Sequence, residues 1–177
     1  MNNKENIFKM TSVITVANEF IKLGLENESD KTMTNLKIQK LVYIAYAFLL
    51  KRTNGSAKLF SEDICAFRHG PVIPDLYSSL KKYGANKVTE QIQFFDSYDE
   101  SIDTSLNQAL VKTVYLAFKD ISAPDLVGLT HREGSAWRRV VDRCHGNISY
   151  FHEITDCDIL DSKEPAVLIL EKFIAGN

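Results

Sequence analysis

Apolar residues cluster along this chain with a mostly helical period, and one stretch stands apart. Leu41 to Leu50, LVYIAYAFLL, is ten unbroken apolar residues. That run is too long for an ordinary strand and about half the roughly 20 residues a membrane-spanning helix needs. A helix that is apolar on every side is buried. The pattern therefore predicts a central core helix from Asn35 to about Arg52. Thr34 supplies an N-cap hydroxyl for it, Met33 and Ile38 stand at hydrophobic-staple positions, and Asn54-Gly55 ends it.

Weaker patterns flank this element. Ile14, Ala17, Ile21 and Leu25, with Phe20 beside them, predict a helix over about Val13 to Leu25. Residues 26–32, ENESDKT, read as a loop. The short apolar run near Ile64–Arg68 predicts a strand, and His69-Gly70-Pro71 a break after it. Pro74 suits the first turn of a helix whose stripe is Ile73, Leu76, Tyr77, Leu80 and Tyr83, with Gly84 as its stop. Val88, Ile92 and Phe94 alternate with Thr89, Gln91 and Gln93, which predicts a second strand pairing with the first, although Glu90 interrupts the apolar face.

Asp96 to Asp103 reads as an acidic loop. Asp103 or Thr104 would cap a helix running to about Lys119, with Leu106, Leu110, Val114 and Ala117 inward. Ser122 and Asp125 resemble a capping box for a short helix ending near His131. Gly134-Ser135 restarts the chain into a helix from Ala136 to Arg143. Residues 144–161 have no clear period, and a last helix is predicted from Lys163 to Ala175. The expected fold is mainly α: a single compact helical domain of six or seven helices with a small two- or three-stranded antiparallel sheet, residues 12–177, behind a flexible N-terminus of residues 1–11.

Composition narrows the function classes. With 177 residues, 45% apolar and 25% charged, the chain can bury a core without disulfide or metal staples. A net charge of −2 gives no global attraction to nucleic acid or anionic membrane. Three widely spaced cysteines, Cys65, Cys144 and Cys157, and a polar start without an apolar leader core point to the reducing cytoplasm.

Little in the chain suggests catalysis. Cys144, His145, His152 and Cys157 fall within 14 residues, but their spacing matches no regular zinc pattern. The expectation there is a buried Cys144 and histidines at the surface or at helix ends, with no metal or other cofactor. Cys65 lies four residues from His69, yet a strand and turn would not clearly aim one at the other. No nucleophile elbow, phosphate-binding loop or H-E-x-x-H motif occurs. No catalytic residue is assigned, and no enzymatic activity is expected.

Two segments suggest contact with a partner. Gly70-Pro71 builds a stiff corner, which is either a structural turn alone or a rigid edge presenting Arg68 and His69. LTHREGSAWRRVVDR holds four arginines and the only tryptophan, residue types enriched where protein interfaces concentrate their energy. There Trp137 is either core or contact, and Arg138 either pairs with Asp142 on a solvated face or reaches a partner.

VANEFIKLG, TNLKIQKLVYIAYAFLL, ICAFRHGPVIPDLYSSLKKYG and LTHREGSAW together resemble the Panacea domain family of SocA-like antitoxins and phage-associated proteins. The resemblance spans about residues 15–140. Phe67 stands where members often carry tryptophan, and Ala136 where they often carry proline. The resemblance implies a mainly helical antitoxin of a two-gene toxin–antitoxin system, in a family many of whose members are phage-associated or lie on mobile elements. It implies a cognate toxin as partner, neutralised by direct binding or by delivery to a ClpXP-type protease. It carries over no catalytic residues. The candidate partner-binding residues are Arg68, His69, Tyr77, Lys81, Trp137 and Arg138, with Gly70 and Pro71 as the structural turn. A phage or mobile-element regulator that binds DNA is the alternative. It would need a basic recognition helix, and Lys81, Lys82 and Lys87 offer basic residues only at the end of the third helix and beyond.

Overall fold

The computed structural model describes residues 8–27, 32–93, 105–148 and 152–176. Within them the chain is mainly α, with eight α-helices and one antiparallel sheet of three short strands.

The central helix forms as its sequence predicts. It runs Asn35–Arg52 (α2), and the Thr34 hydroxyl accepts the Lys37 N–H at its start. Met33 and Ile38 are both buried. At the other end Gly55 N–H reaches Leu50 O at 2.8 Å and Asn54 N–H reaches Lys51 O at 3.1 Å. Asn54 and Gly55 both have positive φ, so this is a Schellman-type stop. Every residue from Leu41 to Leu50 is buried except the half-buried Phe48. Helices on several sides make this possible. The helix Val13–Glu26 (α1), the helix Pro74–Leu80 (α3), the helix Ser105–Phe118 (α4), the helix Ala123–His131 (α5), the short helix Asp156–Leu160 (α7) and the helix Pro165–Ala175 (α8) all pack on α2.

α1 is capped by Ser12, whose hydroxyl accepts the Thr15 N–H. Its buried face is Val13, Val16, Ala17, Phe20, Ile21 and Gly24. The expected stripe was rotated too far, since Ile14 is half-buried and Leu25 exposed. Gly24 admits Met33: a Cβ there would lie 2.4 Å from Met33 Cγ. On the N-terminal side of α1, Lys9 O accepts from Asn107 Nδ2 and Thr11 N–H donates to Leu59 O. On α4, Leu110 and Val114 face inward as expected, joined by Val111, Tyr115 and Phe118, while Leu106 and Ala117 are half-buried. The expected acidic loop, Asp96 to Asp103, lies outside the described residues, as do the proposed caps Asp103 and Thr104.

The sheet corrects two expectations. Cys65–Phe67 (β1) is the predicted strand, shortened, but the break at Gly70-Pro71 is itself a strand, Gly70–Val72 (β2). Phe67 faces Gly70 and Cys65 faces Val72, so only Arg68 and His69 form the turn. β1 also pairs with His152–Glu153 (β3), giving the order β2-β1-β3. Pro71 is tolerated because β2 is an edge strand.

The strand expected over Val88–Phe94 does not form within the described residues. Lys87 makes one isolated bridge to Thr34. Beyond it, the carboxamide of Asn18 on α1 takes the place of a neighbouring strand. Its Oδ1 accepts the Ile92 N–H at 2.7 Å and its Nδ2 donates to Ile92 O at 2.9 Å. Only Val88 is buried, and Glu90 turns outward to Lys82, so the alternating pattern never meets a sheet. Phe94 lies outside the described residues.

The short capped helices fall close to prediction. Ser122 caps α5, and Ser135 caps the helix Ala136–Arg143 (α6). The span 144–161 is not irregular throughout. It contains β3 and α7, and α7 opens with a full capping box between Thr155 and Asp158. Five residues are too few to show a period, so only that box could have revealed it. The last helix begins later than expected, after Glu164, which sits at φ 28.

Candidate functional site

Three long polar side chains at the start of α2 are buried, against the ordinary habit of their residue types. Lys37 Nζ donates to Thr32 Oγ1 at 2.7 Å and to Lys119 O just past the end of α4. Gln39 clamps the peptide of Ile73, accepting its N–H at 2.9 Å and donating to its carbonyl at 3.4 Å. Lys40, fully buried, donates from Nζ to Pro71 O at 2.7 Å. Burial lowers the Lys40 pKa to about 7, because the charged ammonium is poorly solvated there.

Lys40 holds the β2 arm of the β1–β2 hairpin from beneath, and Gln39 holds the residue that follows it. Gly70 lies directly on Lys40 and Thr130. It has φ +96, and a Cβ at this position would stand 2.6 Å from Thr130 Oγ1 and 3.0 Å from Lys40 Nζ. On the other arm, Trp137 Nε1 donates to Phe67 O at 2.8 Å. The Trp137 indole stacks on the His131 ring at 3.7 Å between centroids and 5° between planes. Burial, followed by the positive groups Lys40, His69 and Arg138, lowers the His131 pKa to about 4. At neutral pH His131 is therefore an uncharged aromatic support.

A second buried polar node ties the far side of this frame. Glu164 Oε1 accepts from Tyr43 OH at 2.9 Å, Ala136 N–H at 2.6 Å and Ser162 Oγ at 3.2 Å. It thereby joins the middle of α2 to the first residue of α6, directly before Trp137. Burial raises the Glu164 pKa, opposed by these donors and by Lys51.

Above this frame lie the residues singled out from sequence. Arg68 and His69 are exposed at the hairpin tip, while Gly70 and Pro71 are buried in β2. Trp137 is only 7% exposed, so it serves mainly to hold the hairpin. Arg138, next along α6, is exposed and its Nε pairs with Asp142 at 2.9 Å. The Tyr77 ring lies 6.4 Å from that of Phe67. It belongs to the outer surface at 42% exposure, not to the buried stripe expected of it, and only Leu76 and Leu80 of α3 are fully inward. Lys81 is exposed in the 3-10 turn that follows α3. His69, Trp137 and Arg138 thus come together around His131, with Arg68 beside His69 at the tip and Tyr77 reached through Phe67. Lys81 stands a turn further away.

Sequence reasoning missed Gln39, Lys40, Tyr43, His131 and Glu164. One signal was present for Lys40. It precedes Tyr43 and Ile44 by three and four positions on a helix with no solvated face, so it shares their buried side.

The cysteines and histidines of the 144–157 segment do not form a centre. Cys144 is half-buried, not buried as expected, and Cys157 is exposed. Among the described residues no group of three or more His, Cys, Asp or Glu side chains is placed to hold a metal ion. Cys65 is buried, and burial, with Asp63 and Glu153 nearby, pushes its thiol up to about 11, away from the reactive thiolate. No helix in the described residues is long and apolar enough to cross a membrane.

No curated protein and no solved structure matches this chain. A family model does. It covers residues 38–138, from the first turns of α2, through the hairpin and α3, to the start of α6. That interval contains Gln39, Lys40, Gly70, Pro71, His131 and Trp137, the residues that build the hairpin and most of its mount. The chain belongs to the SocA-like antitoxin, Panacea domain family.

Proposed function

We propose that this chain neutralises a cognate toxin by binding it directly, in the cytoplasm and without catalysis. The contact face is Arg68, His69, Tyr77, Lys81 and Arg138, with Trp137 anchoring it from below. One observation carries this reading: the exposed Arg68–His69 tip sits on a hairpin whose two arms are each fastened to a buried donor, Trp137 at Phe67 O and Lys40 at Pro71 O. A surface already ordered loses little conformational freedom on binding. Arginine and tyrosine are also the side chains on which interfaces most depend. A stable occluding contact buries at least about 1,000 Å², so the partner must extend past the tip onto α3 and α6.

The experiment is co-expression with the product of the neighbouring gene. That product alone should arrest growth, and this chain should restore growth and co-purify with it. A harmless neighbour, or one that stays lethal, would sink the reading. The family resemblance implies two forms of neutralisation, occlusion and delivery to a ClpXP-type protease. Toxin levels separate them: occlusion leaves the toxin intact in the complex, whereas delivery lowers its level only in cells with active ClpX.

The basic end of α3 does not favour the DNA-binding alternative. α3 has seven residues, and the lysines follow it in a 3-10 turn where Lys82 is paired with Glu90 at 2.8 Å.

A further inference from the structure

We propose that Lys40 is a positioning residue for the partner-binding hairpin: its ammonium, buried under Gly70 and Pro71, fixes where Arg68 and His69 are presented, at a net cost to the stability of the folded chain. The functional half of this inference rests on the toxin-binding reading above. The structural half does not.

The geometry makes Lys40 a poor stabiliser. It is fully buried, and its one hydrogen-bond acceptor is the carbonyl of Pro71. No carboxylate pairs with it among the described residues, and the ionisable groups around it are bases. The His131 ring on α5 lies close enough to feel its charge, and that same ring feels His69 of the hairpin and Arg138 of α6. A buried charge without an opposite partner loses more solvation than one carbonyl returns. An unbranched apolar side chain of similar length would fill the same volume without that loss. The lowered pKa of Lys40 reflects the same physics.

The geometry also makes Lys40 a strong locator. Pro71 has no N–H, so this edge residue offers the outside of the sheet only its carbonyl. Lys40 takes that carbonyl with a hydrogen bond that is charge-assisted while the group is protonated, and such bonds are about twice as strong as neutral ones. Gly70 rests so close to Nζ that even a methyl group would not fit without displacement. Gln39 fixes Ile73 two residues further on, and Trp137 fixes Phe67 on the opposite arm. Without Lys40 the β2 arm would keep its pairing to β1, its packing on α2 and α5 and the Gln39 clamp after it, but no polar anchor of its own, and the tip would pivot about Phe67.

The test uses the full chain and the substitution Lys40→Met. Three measurements are compared with wild type: the unfolding midpoint in urea, amide hydrogen exchange across 65–73, and emission from Trp137, the only tryptophan. The expected result is a higher midpoint, hairpin amides exchanging at least tenfold faster while amides of Leu41 to Leu50 stay protected, and a shift in Trp137 emission. Binding to the toxin should weaken at least tenfold. A variant that unfolds, or whose midpoint falls or does not move, would show that the buried charge carries no net cost and would overturn the inference. So would unchanged hairpin exchange and emission. If the hairpin loosens but toxin binding holds, the link to presentation is lost while the toxin reading stands. If wild type binds no toxin, that reading fails together with the functional half of this inference, and exchange and emission still decide the structural half.

Discussion

The two halves of α2 are equally hidden from water and held by opposite means. From Leu41 to Leu50 burial is apolar, fed by contacts from helices on several sides. From Lys37 to Lys40 burial is largely polar, and each long side chain reaches a particular backbone group on another element. Apolar contact is non-directional and rewards area removed from water. A buried hydrogen bond adds little net stability but specifies which atom sits where. The apolar stretch therefore makes the domain stable, and Gln39 and Lys40 decide how the Arg68–His69 tip is carried.

The largest effect that would sharpen this contrast is the pH dependence of the polar half. An unfolded lysine keeps its proton up to about 10.5, whereas folded Lys40 releases it near 7. Between those values the unfolded state holds more protons, so stability rises with pH, and the penalty is present in full below about 7. One pKa unit corresponds to about 1.4 kcal/mol, so the stability gap between Lys40→Met and wild type should narrow by several kcal/mol from pH 7 to 10.5. Urea unfolding at stepped pH measures this, and a constant gap would contradict it. His131 acts in the same direction at lower pH, its contribution being lost as pH falls from 6.5 through about 4.

Next comes the apolar half. Ile44→Ala opens a cavity at a fully buried site and should lower stability by about 3 kcal/mol in urea unfolding. A loss under about 1 kcal/mol would mean that the rod is loosely packed and the contrast overstated. Gly70→Ala should cost about 2 kcal/mol through strain at φ +96 and the clash with Thr130. Its exchange signature should stay local to the hairpin. The smallest effect is the exposed control. Arg138→Ala removes a surface pair with Asp142 and should change stability by less than about 0.5 kcal/mol, while weakening toxin binding in a pull-down.

Legibility followed the same division. The caps at Thr34 and Ser122, the restart at Gly134-Ser135 and the stop at Asn54-Gly55 could be read because each is a local device spanning three or four residues. The buried rod could be read because ten apolar residues leave no side for water. Val88 to Ile92 misled, because alternation marks a strand only if another strand is there to receive it. In this fold a single asparagine side chain took that place. Lys40 and Gln39 passed unnoticed because a lysine or glutamine in a helix usually faces solvent. Tyr77 was read inward because the spacing of one apolar stripe cannot say where a neighbouring element stops covering it.

By itself, then, the order of residues determined where most helices begin and end, that α2 lies at the centre, and which family the chain resembles. These follow from capping groups and apolar periods that act over a few residues. Only the tertiary structure decided that Lys40 meets Pro71, that Trp137 meets Phe67, and that the tip between them is held out to solvent. Such bonds join groups 31 and 70 positions apart. A hydrogen bond depends on direction and distance in space, and no periodicity along a chain records either.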